Sequence, residues 1–470
     1  MIFVPFIVSL FASIYVPLVI AGGKGPGGPG LASIPDRYNK GWWNTTYDPI
    51  APQQLHLTWL SEGIAARLQF ATAEKSDQVQ LIYWPLYHDN ETTLLQEPEQ
   101  NGPFIDPGPA KRVQYLYNFR TKDLAPSTLY QYKVGAFKND IPLWSDIYEF
   151  HTPDSNPDFK FIAAADMGVV NAVSMPILKQ LARQNEYDFL AMMGDQAYDL
   201  ADMDGRKGDE YLNFAQDVYA QMPVLTTPGN HEKHYNFTHY KRRFDHLPFN
   251  ESNSSTPMLY SFDYKSMHLV SFSTEAFFSN DTNELQTALQ WLEQDLKRAN
   301  AMRKERPWLV VMGHRPLYCT PRNDKDCSWK ADILRHGLLS ADNTTRTTLG
   351  MEELFIKYKV DLYLCGHRHG YERSFPVAGN KKMADQYHNA PSYFQVISGN
   401  AGNFDGPDPV NVTTLRDEWS ARFYPGYGLT FVSVSPTGLN VSHWESRIDG
   451  EKGVEIDSVV VTKGLMPPSN

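Results

Sequence analysis

The chain has 470 residues, 42% of them hydrophobic and 21% charged, with a formal net charge of -11 and three cysteines. That much apolar material builds a sizeable core over two or three domains and excludes wholesale disorder. The acidic balance supplies no basic face, so a nucleic-acid partner is not expected.

Residues 1–21 are almost wholly apolar and end at Ala21-Gly22-Gly23, the pattern of a secretory signal peptide cut near Ala21. The run is long and no Lys or Arg precedes it, so a single anchoring helix is the alternative reading. No second apolar stretch of spanning length follows, and no stable membrane partner is expected once the segment is cleaved. Residues 22–49 start Gly/Pro-rich and read as a flexible segment. Nine Asn-x-Ser/Thr sequons, at Asn44, Asn90, Asn236, Asn250, Asn253, Asn280, Asn343, Asn411 and Asn440, agree with export and N-glycosylation. Cys319 and Cys327 bracket a short polar loop and either close a small disulfide or remain two thiols, whereas Cys365 lies in an apolar run and reads as buried.

Residues 50–153 alternate polar and apolar at period two, as in Leu55-His-Leu-Thr-Trp59 and Tyr130-Gln-Tyr-Lys-Val134, with turn residues between the runs. This is the pattern of a small antiparallel sandwich. The approach to Tyr130 resembles the tyrosine corner of a fibronectin type III domain; any other β-sandwich is the competing reading. Over 158–400 short continuous apolar runs alternate with helical patterns. The runs at 159–165, 189–193, 224–227, 269–272, 308–312, 360–365 and 394–397 suit strands buried on both faces. Leu285, Leu289, Leu292 and Leu296 recur at helical spacing, which predicts a helix between Asn283 and Asn300. Residues 401–463 return to alternation from Gly428 onward and are expected to add strands that complete the catalytic domain.

Five of those runs stop at a residue that can bind a metal. Asp166 follows the first, Gly194-Asp195-Gln-Ala-Tyr198 the second and Gly229-Asn230-His231-Glu232 the third. Gly313-His314 follows the run at 308–312, and Gly366-His367-Arg-His369 that at 360–365. Ligands of open α/β sheets gather outside the carboxyl ends of strands. Singly, each residue has a plainer reading. Asp166 and Asp195 could cap helices, Asn230 could serve a turn, Tyr198 could pack, and a buried histidine is more often a hydrogen-bonded core residue than a ligand. Together, two Asp, one Tyr, one Asn and three His exceed the needs of one ion. A pair of ions about 3.5–4 Å apart accounts for all of them, and phosphate esters are the natural substrate of such a pair.

These motifs resemble the purple acid phosphatases of the calcineurin-like metallophosphoesterase superfamily, in particular their long animal branch, from near Pro52 to near Lys463. The resemblance implies a fibronectin type III-like β-sandwich followed by a four-layer α/β/β/α metallophosphoesterase domain. It implies that Asp166, Tyr198 and His369 hold Fe(III), that Asp195 bridges, and that Asn230, His314 and His367 hold a divalent ion, Zn(II), Fe(II) or Mn(II). Tyr198 is the residue that argues for ferric iron, since a phenolate stabilises the trivalent state. His231 would donate a proton to the substrate or stabilise its transition state, with Glu232 orienting it. The implied activity is hydrolysis of small phosphate monoesters in acid, with water activated by the ions as nucleophile, in a secreted or lysosomal glycoprotein. Two other readings are a metal-dependent phosphodiesterase or nucleotide pyrophosphatase, and a catalytically weak secreted recognition protein. The chain departs from related plant enzymes in lacking two histidines shortly after His314; Arg322, Asn323 or Lys325 would have to meet phosphate instead. Tyr371-Glu372-Arg373 is expected to support the ligands from behind.

Overall fold

A computed structural model describes residues 47–464 except 61–62, 87–93, 280, 322, 341, 343 and 409–416. The signal-peptide reading, almost all of the flexible segment at 22–49, the sequons at Asn44, Asn90, Asn280, Asn343 and Asn411, and Arg322 lie outside the described residues.

The alternating N-terminal runs form two antiparallel sheets. One orders its strands Gln53–Trp59, Ala66–Thr72, Val113–Arg120, Gln100–Ile105; the other orders them Leu94–Gln96, Gln78–Pro85, Leu129–Lys138, Ile141–Trp144, and Tyr148–His151 also pairs with Leu129–Lys138. Alternate side chains meet in an aromatic core that includes Trp59, Phe70, Phe119, Tyr83, Tyr132 and Phe150. The Tyr130 hydroxyl accepts the Ala125 backbone N–H at 3.0 Å, the upstream hydrogen bond of a tyrosine corner. This sandwich is fastened to the catalytic unit by polar contacts. Tyr132 donates to the Ala220 carbonyl at 2.6 Å, and Trp59 Nε1 to the Asp188 carbonyl at 3.0 Å. Arg243, fully buried, donates to Gln54 Oε1 at 3.0 Å and pairs with Asp209 at 2.9 Å.

The continuous apolar runs become strands of two further sheets. The first orders Val224–Thr226, Phe189–Met192, Phe159–Ala164, Gly428–Val434, Gly438–Ser446, Lys452–Thr462. Its first three strands are parallel, and Gly428–Val434 pairs antiparallel to Phe159–Ala164. The second orders Leu259–Tyr264, Met267–Phe272, Trp308–Met312, Leu362–Cys365, Phe394–Ser398, Tyr371–Ser374, Ser420–Tyr424, with a parallel centre from Met267–Phe272 to Phe394–Ser398. Ser398 Oγ reaches across to the Ala163 carbonyl and to Thr430, which ties the inner faces together. The amphipathic leucine pattern forms the helix Thr282–Ala301, capped by Asp281, whose carboxylate accepts the Asn283 and Glu284 N–H groups. Helix Arg206–Tyr219 packs against helix Met175–Gln184 and the sandwich strand Gln53–Trp59, helices Trp329–His336 and Met351–Lys357 pack together, and sheets and helices form the expected mixed multidomain α/β/β/α architecture.

One point of topology is not in the linear pattern. The five strands that end at candidate ligands do not share a sheet: Phe159–Ala164, Phe189–Met192 and Val224–Thr226 belong to the first, Trp308–Met312 and Leu362–Cys365 to the second. The candidate ligands therefore meet at the junction of two carboxyl edges, and each sheet contributes part of the set.

Candidate metal centre

The turn after each strand bends sharply, and the backbone shows it. Asp166, Asp195, Tyr198 and His367 have φ of 58, 50, 47 and 69°, in the left-handed region that L-residues seldom occupy. Two glycines make the crowding possible. Gly194 has φ 86°, and a Cβ there would lie 2.7 Å from His314 Nδ1; a Cβ on Gly229 would collide with Asp195 Oδ1.

The seven side chains fall into two sets. In the first, the Tyr198 hydroxyl lies 3.1 Å from Asp166 Oδ1 and 3.0 Å from His369 Nε2, and His369 Nε2 is 3.7 Å from Asp166 Oδ1. In the second, His314 Nε2 is 3.2 Å from Asn230 Oδ1 and 3.2 Å from Asp195 Oδ2. His367 joins that set: one donor atom each of Asp195, His314 and His367 lies within 4.8 Å of the others. His314 Nδ1 donates to the Met193 carbonyl at 2.8 Å, which fixes the ring and turns Nε2 inward, toward Asp195 and Asn230.

The electrostatics of this cluster fit a cationic occupant. Asp166, Asp195 and Tyr198 are all buried, and Arg315 borders the set at His367, with Nη1 2.9 Å from Nε2. Burial, reinforced by Asp195, pushes the Asp166 carboxyl well above its ordinary range; burial with Asp166 and Asp195 does the same to the Tyr198 phenol. Burial would raise Asp195 too, but His314 and His231 outweigh it and hold the carboxyl well below the ordinary range. His367 is held far below its ordinary value by burial and by Arg315, so its ring is neutral, as a ligand ring must be. Without an ion the cluster balances itself with protons, on Asp166, on the Tyr198 phenol and on His314, where burial opposes the charge but Asp195 prevails and pushes it up to about 10. Cations bound there would replace those protons and leave carboxylates, a phenolate and neutral rings, a donor set that suits a ferric ion beside a divalent one.

His231 sits at the more open side, its side chain 34% exposed. Its backbone N–H donates to Asp195 Oδ1 at 2.9 Å, its Nδ1 lies 3.0 Å from Asp199 Oδ1, and its ring centroid is 4.6 Å from that of Tyr198. Burial works against its protonation, but Asp195 and Asp199 prevail and push it up to about 9. Glu232 stands elsewhere than the sequence reading put it. Its carboxylate accepts the backbone N–H groups of Asp195 at 2.9 Å, Gln196 at 2.9 Å and Gly229 at 2.7 Å, so it staples two ligand turns together. The residue on the His231 ring is Asp199, which sequence reasoning passed over; its only signal is that it follows Tyr198.

The loop after His314 follows the cysteine reading and adds two inward carboxylates that the sequence did not single out. Cys319 and Cys327 are joined, Cys365 is a buried thiol, and Asn323 and Lys325 are exposed. Asp324 and Asp326 of that loop turn inward instead, to Arg368 at 3.0 Å and His367 Nε2 at 3.2 Å. Glu372 accepts from Thr320, and Arg373 pairs with Asp457, so these two tie the neighbouring loop and the last strand.

Comparison with known proteins agrees with this architecture. Residues 52–152 match the family model of the purple acid phosphatase N-terminal domain and residues 159–371 that of the calcineurin-like phosphoesterases. The chain is 31% identical over 426 residues to human acid phosphatase type 7, covering 88% of this chain and 92% of that one. It is 26% identical over 435 residues to the Fe(3+)-Zn(2+) purple acid phosphatase 12 of Arabidopsis thaliana, covering 87% and 84%. The solved purple acid phosphatase PPD1 of yellow lupin seeds shares the fold at TM-score 0.69 and 19% identity, over 88% of this chain and 75% of that one. With the sandwich, the paired sheets and the strand-end donors all in place, this chain belongs to the purple acid phosphatases, within the calcineurin-like phosphoesterases.

Proposed function

We propose that this chain is an acid phosphatase that hydrolyses small phosphate monoesters at a binuclear Fe(III)–M(II) centre, M being zinc, iron or manganese. The observation that carries the reading is the division of the donors into two sets with Asp195 against the second and electrostatically joined to the first. Asp166, Tyr198 and His369 would hold the ferric ion, Asn230, His314 and His367 the divalent one, and Asp195 both. Such a pair of ions, when bound, lowers the pKa of water and neutralises phosphoryl oxygens, which makes a nucleophile available in acid without a protein base. The chain's own contribution is placement. His231 stands on the open side with Nδ1–H on Asp199; Asp195 and Asp199 keep the ring doubly protonated in acid, so Nε2 also carries a proton, the one the departing alcohol needs. Glu232 and the Met193 carbonyl fix the turns and the ring on which the divalent ligands ride.

Family membership and the match to acid phosphatase type 7 support the activity; the Fe(3+)-Zn(2+) relative and Tyr198 support the metal pair. Among the described residues no helix is long and apolar enough to cross a membrane. The disulfide, and the exposure of the sequons at Asn236, Asn250, Asn253 and Asn440, support a secreted glycoprotein. The assay is direct: p-nitrophenyl phosphate is turned over in mildly acidic buffer, and bis-p-nitrophenyl phosphate much more slowly. Preference for the diester would overturn the monoesterase reading in favour of a phosphodiesterase.

A further inference from the structure

The disulfide-closed loop begins just beyond one candidate ligand of the divalent ion and returns to another. Cys319 lies five residues after His314, and Asp326, next to Cys327, reaches His367. We propose that Asp326 is a positioning residue for the divalent ion, and that Arg315 and Glu275 hold it so that His367 presents Nδ1 as its ligand atom. The inference rests on the binuclear reading given above.

An imidazole offers a lone pair only from the nitrogen that lacks a proton, and the partner of the other nitrogen decides which one that is. His367 Nε2 has two neighbours that pull in opposite directions. Asp326 Oδ1, at 3.2 Å, accepts a proton and so leaves Nδ1 free. Arg315 Nη1, at 2.9 Å, would donate to an unprotonated Nε2 and so put the ring proton on Nδ1, which leaves neither nitrogen open to an ion. The geometry decides for Asp326, because an ion cannot share Nε2 with a cation at 2.9 Å: only Nδ1 is left for it, so Nε2 carries the ring proton and Asp326 is the acceptor beside it. The guanidinium is itself fixed. Its Nε and Nη2 meet the two oxygens of Glu275 at 2.6 and 3.2 Å, and Nη1 itself meets Asp326 Oδ1 at 3.0 Å. Its carbon sits 4.7 Å from the centroid of the Phe278 ring, and both Arg315 and Glu275 are buried. A rigid, bidentate fork of this kind fixes a carboxylate in place. Lys330 adds a third hold on Asp326 at 2.7 Å. The carboxylate is thus immobilised by Arg315 and Lys330, which both meet Oδ1, and from the chain by the neighbouring disulfide, with that same oxygen set against the ring. Asp324 of the same loop clamps Arg368, which stands between His367 and His369. The short loop that lacks the two histidines of plant relatives therefore works on the ligand side of the site.

The test uses the full chain with iron bound and titrates Zn(II) into the second position of wild type, Asp326→Ala and Asp326→Asn. Iron content and the visible ferric–phenolate band are followed in parallel. Asp326→Ala is expected to weaken Zn(II) binding about 10–100-fold while iron content and the band stay at wild-type levels. Asp326→Asn, whose side-chain oxygen still accepts from Nε2–H, is expected to fall between the two, and it keeps the test open if the alanine variant does not fold. Unchanged Zn(II) affinity in both variants, or equal loss of iron and zinc, overturns the positioning role. A wild-type chain that takes up iron but never a second ion overturns the binuclear reading itself, an outcome distinct from a failure of Asp326.

Discussion

Asp195 is the residue on which the two halves of the site depend. Its Oδ1 accepts the His231 backbone N–H, its Oδ2 faces His314, and its charge is felt by Asp166 and Tyr198. Removing that charge while keeping the shape leaves two incomplete donor sets. Asp195→Asn is therefore expected to lose both ions and to bring phosphatase activity to background, with the far-ultraviolet circular dichroism of wild type; bound metal counted by mass spectrometry checks it. Wild-type turnover in that variant would defeat the bridging role. At the same scale, what the sequence offered and what it withheld separate cleanly. Asp166, Asn230, His314, His367 and His369 were legible because each stands one to four residues past a buried run, often behind a glycine, and that signal is local. Asp199 on the His231 ring and Asp326 on the His367 ring were not legible. Each depends on how a loop folds back, and the chain around Tyr198 offers Asp199, Asp202 and Asp204 with nothing to rank them.

At the scale of elements, the turns matter more than the strands they join. Four candidate ligands sit on strained backbone, so something must hold the turns in that shape. Glu232 does so, with one carboxylate accepting three buried N–H groups from the turns after Phe189–Met192 and Val224–Thr226. Glu232→Ala leaves those donors unpaired at about 1–3 kcal/mol each, so a stability loss of at least about 3 kcal/mol is expected. Chemical denaturation measures it; a wild-type midpoint would show that the staple is dispensable. The strands and the long helix were readable from apolar periodicity, and the structure has them at Phe159–Ala164 and Thr282–Ala301 within a residue or so of the pattern. The role of Glu232 was misread because adjacency to His231 suggested a partner, whereas the side chain turns back under the single 3-10 turn that carries both.

Across the whole molecule, the chain carries a built-in bias toward acid. His268 is buried between Asp263 at 2.5 Å and Asp295 at 2.8 Å on the face covered by helix Thr282–Ala301. Burial opposes its charge, but the two carboxylates prevail and push it up to about 9. A histidine whose folded pKa exceeds its unfolded value of about 6.5 stabilises the fold fully below that value and loses the contribution as pH rises through about 9, here about 3 kcal/mol. The melting temperature of wild type over His268→Gln should therefore show its full advantage near pH 6 and lose most of it by pH 10. A gap that does not change with pH would contradict the assignment. The division of the five ligand-bearing strands between two sheets belongs to this scale as well, and periodicity could not give it. A run buried on both faces looks the same in either sheet, and only long-range pairing distinguishes them.

The proposal that Tyr198, Asp195 and their neighbours hold two ions is tested most directly by a visible spectrum recorded with metal analysis. The purified wild-type chain is predicted to carry iron and a second transition metal in near-equal amounts and to show a ferric–phenolate charge-transfer band that disappears in Tyr198→Phe while iron stays bound. Less than one transition metal per chain after gentle purification, or a band that survives the loss of the phenol, would contradict it.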